Sequence, residues 1–186
     1  MRTLAVTQNI TLDGSIEMLD DWFDPEAAGS DNNDDHLAEL HRQDTESDAL
    51  LLGRQTFEDF RAYWPNQTDD ATGITAYLND VPKYVVSSTL TDPNWSNSTV
   101  LQNDPIKCVG ELKHRVGKDI VVTGSITVTH ELISAGLVDE FRLFVYPAVQ
   151  GRGRKLFPAG AANNLRLLDR PMAFRSGIVF LRYALT

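Results

Sequence analysis

Residues 50–60, LLLGRQTFEDF, put a glycine, an arginine and a threonine where an apolar run gives way to a helical pattern. A buried strand that ends in Gly53 and turns at once into a helix leaves backbone N–H groups and the positive helix end at a sheet edge. That is a ready anion site. Gly53 permits close backbone approach. Arg54 offers a charge-assisted fork, and Thr56 can bond either a helix amide or a phosphate oxygen. The competing reading makes Thr56 a helix cap, with Asp59 as an imperfect capping-box partner, and leaves Arg54 a surface charge. The residues by themselves weigh these two readings evenly. The pattern is neither the dinucleotide fingerprint GxGxxG nor a Walker loop.

Two further stretches repeat the theme. VVSSTL places Ser87, Ser88 and Thr89 at the mouth of a short apolar strand, with Lys83 at its other end. Such hydroxyls can meet a phosphate, although at strand ends they more often satisfy local backbone. VVTGSITVTHEL is again strand, glycine turn and helix, so Gly124 and Ser125 can bring backbone amides near a pyrophosphate. In an open α/β sheet such junctions gather along one edge, where ligands bind. Three together therefore argue more than one. Other candidates carry a bland alternative each. Asp13 in TLDG is a carboxylate or a turn former. The basic run Gly151-Arg152-Gly153-Arg154-Lys155 is a phosphate contact or a solvated hairpin loop. Trp22 and Trp64 wall a flat ring or belong to the core.

The elements that must position these residues follow from periodicity. A first strand spans residues 2–9, and the turn at Asp13-Gly14 leads into an acidic stretch, DDWFDPEAAGSDNNDD, expected as a solvated loop. A helix capped by Asp34 or Asp35 carries Leu37, Leu40 and His41 on one side. Strand 49–53 is apolar on both faces, as a buried parallel strand is. The next helix, starting near Thr56, aligns Phe57, Phe60 and Trp64 and ends by Pro65. Beyond a polar stretch come a strand over 83–90, a short one at Val100-Leu101, and a helix over 105–115 with Ile106, Val109, Leu112 and Val116 inward. Strand 119–124 precedes a helix with Val128, Leu132 and Ile133 inward and Gly136 as its left-handed stop. EFRLFVYPAV and two runs within 165–185 are strands without long helices between them. The fold class is therefore α/β: a mixed, mostly parallel central sheet with flanking helices and a C-terminal antiparallel hairpin, in one domain over 1–186.

Composition bounds the function. The formal net charge of −9 opposes nucleic-acid binding through phosphate contacts, though one pocket needs few donors. No apolar run is long enough to cross a bilayer. The N-terminus lacks the h-region of a signal peptide, and the single Cys108 fits a reducing compartment, so a cytoplasmic location is expected.

With three junctions in this order, the chain resembles the dihydrofolate reductase-like superfamily. Within it, the chain is similar to the branch named after the C-terminal reductase domain of the bifunctional riboflavin-biosynthesis deaminase/reductase. GRQTFED resembles the segment that begins the helix under the NADPH pyrophosphate, and VVSSTL the strand whose hydroxyls meet the adenosine 2′-phosphate. HELISAGLVDEFRLFVYPAVQGRGRKLF carries the branch-specific pattern. The resemblance implies NADPH as cofactor, held by Gly53, Arg54, Thr56, Ser87, Ser88, Thr89, Gly124 and Ser125, with Ile126 and Val128 nearby. Val6, Thr7 and Ile16 would line the nicotinamide. It implies hydride transfer to a small heterocycle of pterin or ribosylaminopyrimidine type, with a homodimer as a possible assembly. Two departures stand out. Ser125 occupies the place of a usual second glycine. The family's proton-donating carboxylate precedes a Leu-Ala pair, whereas here Leu37-Ala38 follows His36, with Asp35 one position earlier. Reduction of a C=N bond needs a proton, so Asp35 and His36 are the catalytic candidates, against a capping Asp35 and a solvated His36. The alternative function is a nucleotide-binding module of the same fold without catalysis.

Overall fold

The computed structural model describes residues 1–19, 21–24, 34–160 and 164–186. Most of the expected acidic loop, residues 20 and 25–33, lies outside the described residues. The elements run β1 (Leu4–Thr11), α1 (Asp34–Glu46), β2 (Ser47–Gly53), α2 (Arg54–Tyr63), α3 (Ile74–Asp80), β3 (Lys83–Val86), β4 (Ser98–Leu101), α4 (Pro105–His114), β5 (Asp119–Thr123), α5 (Ile126–Ser134), β6 (Glu140–Tyr146), β7 (Leu165–Leu167), β8 (Met172–Ala173) and β9 (Val179–Leu185). They build one sheet in the order β4-β3-β2-β5-β1-β6-β9-β7, with β8 also on β9. The strands from β4 to β6 are mutually parallel, while β9 runs antiparallel to β6, β7 and β8. The expected fold class holds, and the late strands pair through β9.

Two apolar layers sandwich the sheet. Leu4, Val6, Leu51 and Val122 pack with Val109 and Leu112 of α4 and Val128, Leu132 and Ile133 of α5. On the other face Leu50, Leu52 and Val121 meet Phe57 of α2, Leu78 of α3 and Trp95, with Phe60 and Trp64 packed alongside. The triple leucine of β2 is buried because both layers need it. Gly136 follows α5 with φ +66°, the left-handed stop expected of it.

Four expectations change. The first strand is shifted to Leu4–Thr11. The inward face of α1 carries His36, Glu39 and Gln43, while His41 is exposed. The reason is the surface it covers: Gln43 meets the Thr7 hydroxyl of β1 at 3.5 Å and donates to Glu39 at 2.8 Å, so the layer under this helix is polar. Val116 lies beyond α4 and is fully exposed. The polar stretch before β3 contains α3, whose start is fixed by Asp70 accepting from the Thr72 and Thr75 amides at 2.8 and 2.7 Å.

Candidate functional site

Because β3, β2, β5, β1 and β6 are parallel neighbours, their C-terminal ends share one edge. From β3 to β6 that edge is about 19 Å long at the usual strand spacing. The junctions at Ser87, Gly53 and Gly124 therefore lie side by side, as the sequence leads one to expect.

Gly53 and Gly124 form the centre. The Gly53 amide donates to the Ser125 hydroxyl at 2.7 Å, and the Ser125 amide donates to the Thr56 hydroxyl at 3.0 Å. Gly124 and Ser125 are both left-handed, at φ +58° and +53°. This is routine for glycine but costs serine on the order of 1 kcal/mol. The turn is tight: a Cβ on Gly124 would stand 2.9 Å from Thr56 Cγ2, and one on Gly53 would stand 3.2 Å from Val128 Cγ2. Behind them Gln8, on β1, donates to the Gly124 carbonyl at 2.7 Å. The result is a backbone cradle tied between two strand-to-helix turns. The capping reading of Thr56 fails, since Gly53 heads α2 without a side-chain cap. Asp59 instead accepts from Gln55 at 2.9 Å. Arg54 is 47 % exposed and pairs with Glu58 at 2.8 Å, so its guanidinium stands beside the cradle at the surface.

The hydroxyl cluster lies one strand over. It follows β3, which ends at Val86 and does not run to 90. Ser87 Oγ accepts from the Thr89 and Leu90 amides at 3.2 and 2.9 Å, which leaves its proton to donate outward. Ser88 and Thr89 are exposed. Lys83 does not join them: it is 0 % exposed, donates to the Leu78 and Val81 carbonyls at 2.6 and 2.9 Å, and sits 4.6 Å over the Trp95 ring. Burial pulls its pKa down to about 8. Val6 and Ile16 are core residues, so any ligand contact there falls to their backbone, while Thr7 faces α1. Ile126 is half-buried and Val128 buried on α5.

Beyond β1, on the α1 face, a cavity of about 540 Å³ opens at the same edge. His36 and Leu40 of α1, Trp22, Trp64, Asn9 at the end of β1 and Tyr146 at the end of β6 line it. Both tryptophans singled out from the sequence thus face one space. His36 is not solvated: it is 5 % exposed, with Phe144 and Phe174 at ring distances of 4.7 and 5.2 Å. Burial pushes its pKa below the ordinary imidazole value, against the pull of Asp35 and Glu39. A neutral imidazole results at pH 7. Its Nε2 is buried without a hydrogen-bond partner among the described residues, and so is the Oγ of Ser176, another residue of the lining. Asp35 does not line the cavity, and its two oxygens accept from the His36 and Arg175 amides at 3.0 and 3.1 Å. Tyr146 escaped the sequence reading because it sat inside a strand pattern. Its phenol is half-buried and desolvation pushes it up to about 12, so it stays a donor. Asn9 and Ser176 carried no signal in the sequence.

The basic run is neutralised locally. Arg154 pairs with Glu17 at 2.6 Å and Lys155 with Asp13 at 2.7 Å, and Arg152 is likewise engaged. Asp13 is a turn residue: besides Lys155, it accepts from the Thr11 hydroxyl at 2.6 Å and the Gln150 and Gly151 amides at 3.1 and 3.0 Å. The Lys155 and Thr11 bonds hold its carboxyl well below the usual range. Among the described residues no group of three His, Cys, Asp or Glu is placed to hold a metal ion, and no helix is long and apolar enough to cross a membrane.

Comparison with known proteins agrees with this arrangement. The chain is 32 % identical over 191 residues to the uncharacterised Bacillus subtilis protein YyaP, covering 98 % of this chain and 94 % of that one. Among solved structures, a pyrimidine reductase-like protein from Corynebacterium diphtheriae superposes with TM-score 0.67 at 16 % identity, covering 100 % of this chain and 92 % of that one. RibD of Acinetobacter baumannii gives 0.64 at 16 % identity, and this chain, wholly covered, spans 58 % of it. A dihydrofolate reductase from Enterococcus faecalis, complexed with NADP(H), gives 0.58 at 16 % identity over 99 % and 96 % of the two chains. These three share the fold. The model of the RibD C-terminal domain matches residues 2–178, nearly the whole of the sheet and both halves of the site, and the chain belongs to that family.

Proposed function

We propose that the protein is an NADPH-dependent reductase that transfers a hydride to a small heterocycle of pterin or ribosylaminopyrimidine type. The observation that carries this reading is the cradle of Gly53, Thr56, Gly124 and Ser125 set beside a cavity lined by Trp22, Trp64 and Tyr146, at one sheet edge. The cradle fits a dinucleotide pyrophosphate. The Gly53 and Ser125 amides are taken by the Ser125 and Thr56 hydroxyls, so the N-terminal amides of α2 and α5 beside this turn are those left for phosphate oxygens. Arg54 and the Ser87–Thr89 hydroxyls on the β3 side would meet the 2′-phosphate that distinguishes NADPH from NADH. Bound NADPH supplies the hydride. The chain's own residues orient the two rings, and Trp22, Trp64 and Tyr146 keep water from the substrate. The protein is expected to work in the cytoplasm, as a homodimer built through its late strands.

One observation favours the second reading, a nucleotide-binding module without turnover. Asp35 spends its carboxylate on two backbone amides and His36 is held neutral, so neither is set as a general acid. Tyr146 or an ordered water then remains to deliver the proton. Titration of NADPH and NADH, followed by tryptophan quenching, separates the readings when dihydrofolate and the ribosylaminopyrimidine are then offered and NADPH absorbance is watched. Failure of both nucleotides to bind removes the cofactor. Arg54→Ala is expected to weaken NADPH by about tenfold, the worth of one charge-assisted contact, and NADH far less. Equal losses would place Arg54 on the pyrophosphate.

A further inference from the structure

Gln8 is the polar exception on its face of β1. Val6 and Ile10, its neighbours on the side that α4 and α5 cover, belong to the apolar layer, and Gln8 between them is 3 % exposed. An amide buried there costs stability unless its polar atoms are bonded. The strand register supplies the partner. Thr7 of β1 lies opposite Thr123 of β5, which brings position 8 beside Gly124, and Gln8 Nε2 donates to the Gly124 carbonyl at 2.7 Å. The Thr129 hydroxyl of α5 reaches the same carbonyl at 3.3 Å.

The N–H of that same peptide unit belongs to Ser125 and donates to the Thr56 hydroxyl of α2 at 3.0 Å. One peptide is therefore clamped at both ends, its carbonyl from β1 and α5 and its N–H from α2. The clamp matters because the backbone does not favour this orientation. Gly124 and Ser125 have φ of +58° and +53°. Half a turn of the peptide between them would return Ser125 to a negative φ, which a residue with a Cβ prefers, and Gly124 would allow the change. α5 grows directly from this peptide. Ser125 is its N-terminal cap residue, gives it no side-chain bond, and accepts from the Thr129 amide at 2.9 Å through its carbonyl. The direction of the helix start, and of the amides left there for phosphate oxygens, thus depends on how the peptide is held.

We propose that Gln8 is a positioning residue of the nucleotide site, holding the Gly124–Ser125 peptide in the orientation that presents the first amides of α5 to a pyrophosphate. The proposal rests on the cofactor reading above and adds a residue that acts through Gly124.

Variants of the full chain test it. Gln8→Met keeps the length and the apolar fit but cannot donate. It is expected to weaken NADPH and NADH alike, by about tenfold, because both carry the pyrophosphate. Gln8→Glu can donate to the carbonyl only when protonated. Calorimetric titration with NADP⁺, which is stable in acid, should find this variant near native affinity at about pH 5 and at least about tenfold weaker at about pH 8, each compared with the native chain at the same pH. A purely packing role gives no such profile. Thr129→Val, alone and combined with Gln8→Met, should give losses that do not add, since both side chains hold one carbonyl. This cycle decides the matter should Gln8→Glu fail to fold. The Ser125 amide signal in ¹⁵N-correlated NMR spectra, read without nucleotide, should move in Gln8→Met. Unchanged affinity in folded Gln8→Met overturns the proposal, as do additive losses or a pH-independent loss in Gln8→Glu. If the native chain binds no nucleotide, the cofactor reading falls, and the unliganded Ser125 signal decides whether Gln8 holds the peptide. Native binding with an unmoved signal and unchanged variant affinity removes this inference alone.

Discussion

Ser125 shows how much a single position can decide. Its type, by itself, says only that a side chain stands in a tight strand-to-helix turn. In the folded chain it adopts φ +53°, and its hydroxyl takes the Gly53 amide while its own amide goes to Thr56. The side chain does not fill the cradle; it ties two turns together. Gly124 beside it has no such latitude. Gly124→Ala is expected to cost about 1–2 kcal/mol from the left-handed backbone, and its Cβ would push on Thr56 at 2.9 Å. Thermal melts and nucleotide titration together check this. Stability should fall and NADPH affinity should drop by about tenfold or more as the cradle opens. A stability loss with unchanged affinity would take Gly124 out of the cofactor site.

Among the elements, α3, which ends against β3, was the hardest to foresee. α3 is short, and the segment before it lacks apolar periodicity, so only tertiary contact and the Asp70 turn stabilise it. Lys83 belongs to this pairing. A lysine beside an apolar strand suggests a surface charge, yet the ammonium is sealed against the end of α3, where the Leu78 and Val81 carbonyls and the Trp95 face replace its water. Lys83→Met is expected to lower stability by about 2–4 kcal/mol, because two charge-assisted bonds are lost inside the fold. Denaturant melts measure the loss, and NADPH affinity of the folded fraction should stay unchanged. A loss of affinity larger than the loss of stability would return Lys83 to the site. The helices α2 and α5 were legible because amphipathic spacing and glycine turns are local signals. The inward face of α1 was not, because a polar helix face reveals its orientation only through the partner it meets.

Across the whole molecule, the unusual feature is an ionic network, buried at Glu140 and Arg142, at the end of the sheet away from the cradle. Arg142 and Arg182 lie opposite each other on β6 and β9 and share Glu140 at 2.8 and 2.7 Å; Arg142 also reaches Asp119 of β5 at 2.5 Å, and Arg182 reaches Asp169 at 2.6 Å. Burial alone would raise the Glu140 carboxyl, but the bonds from Arg182 and Arg142 outweigh it and hold the pKa below the ordinary value of 4.5. A depressed native pKa means that this carboxylate stabilises the fold above the unfolded value. That stability is lost as pH falls through the native one. Glu140→Gln is expected to cost about 3–5 kcal/mol at pH 7, since it leaves two guanidiniums facing a neutral amide. Urea melts at pH 7 and again well below pH 4 should show the gap to the native chain closing in acid. A gap independent of pH would mean that packing, and not the charge, is what Glu140 contributes.

The sequence alone determined the alternation of apolar runs and amphipathic helices, the three glycine or hydroxyl junctions and the acidic balance. Each of these is set by residues a few positions apart, through backbone conformation and solvation. Tertiary structure decided what those junctions face. The strand order brings Ser87, Gly53 and Gly124 to one edge, commits Lys155 to Asp13, 142 positions away, and turns His36 into a cavity instead of toward water. Those pairings depend on strand register and on which helix covers which face. Both are fixed only when distant apolar surfaces are buried together.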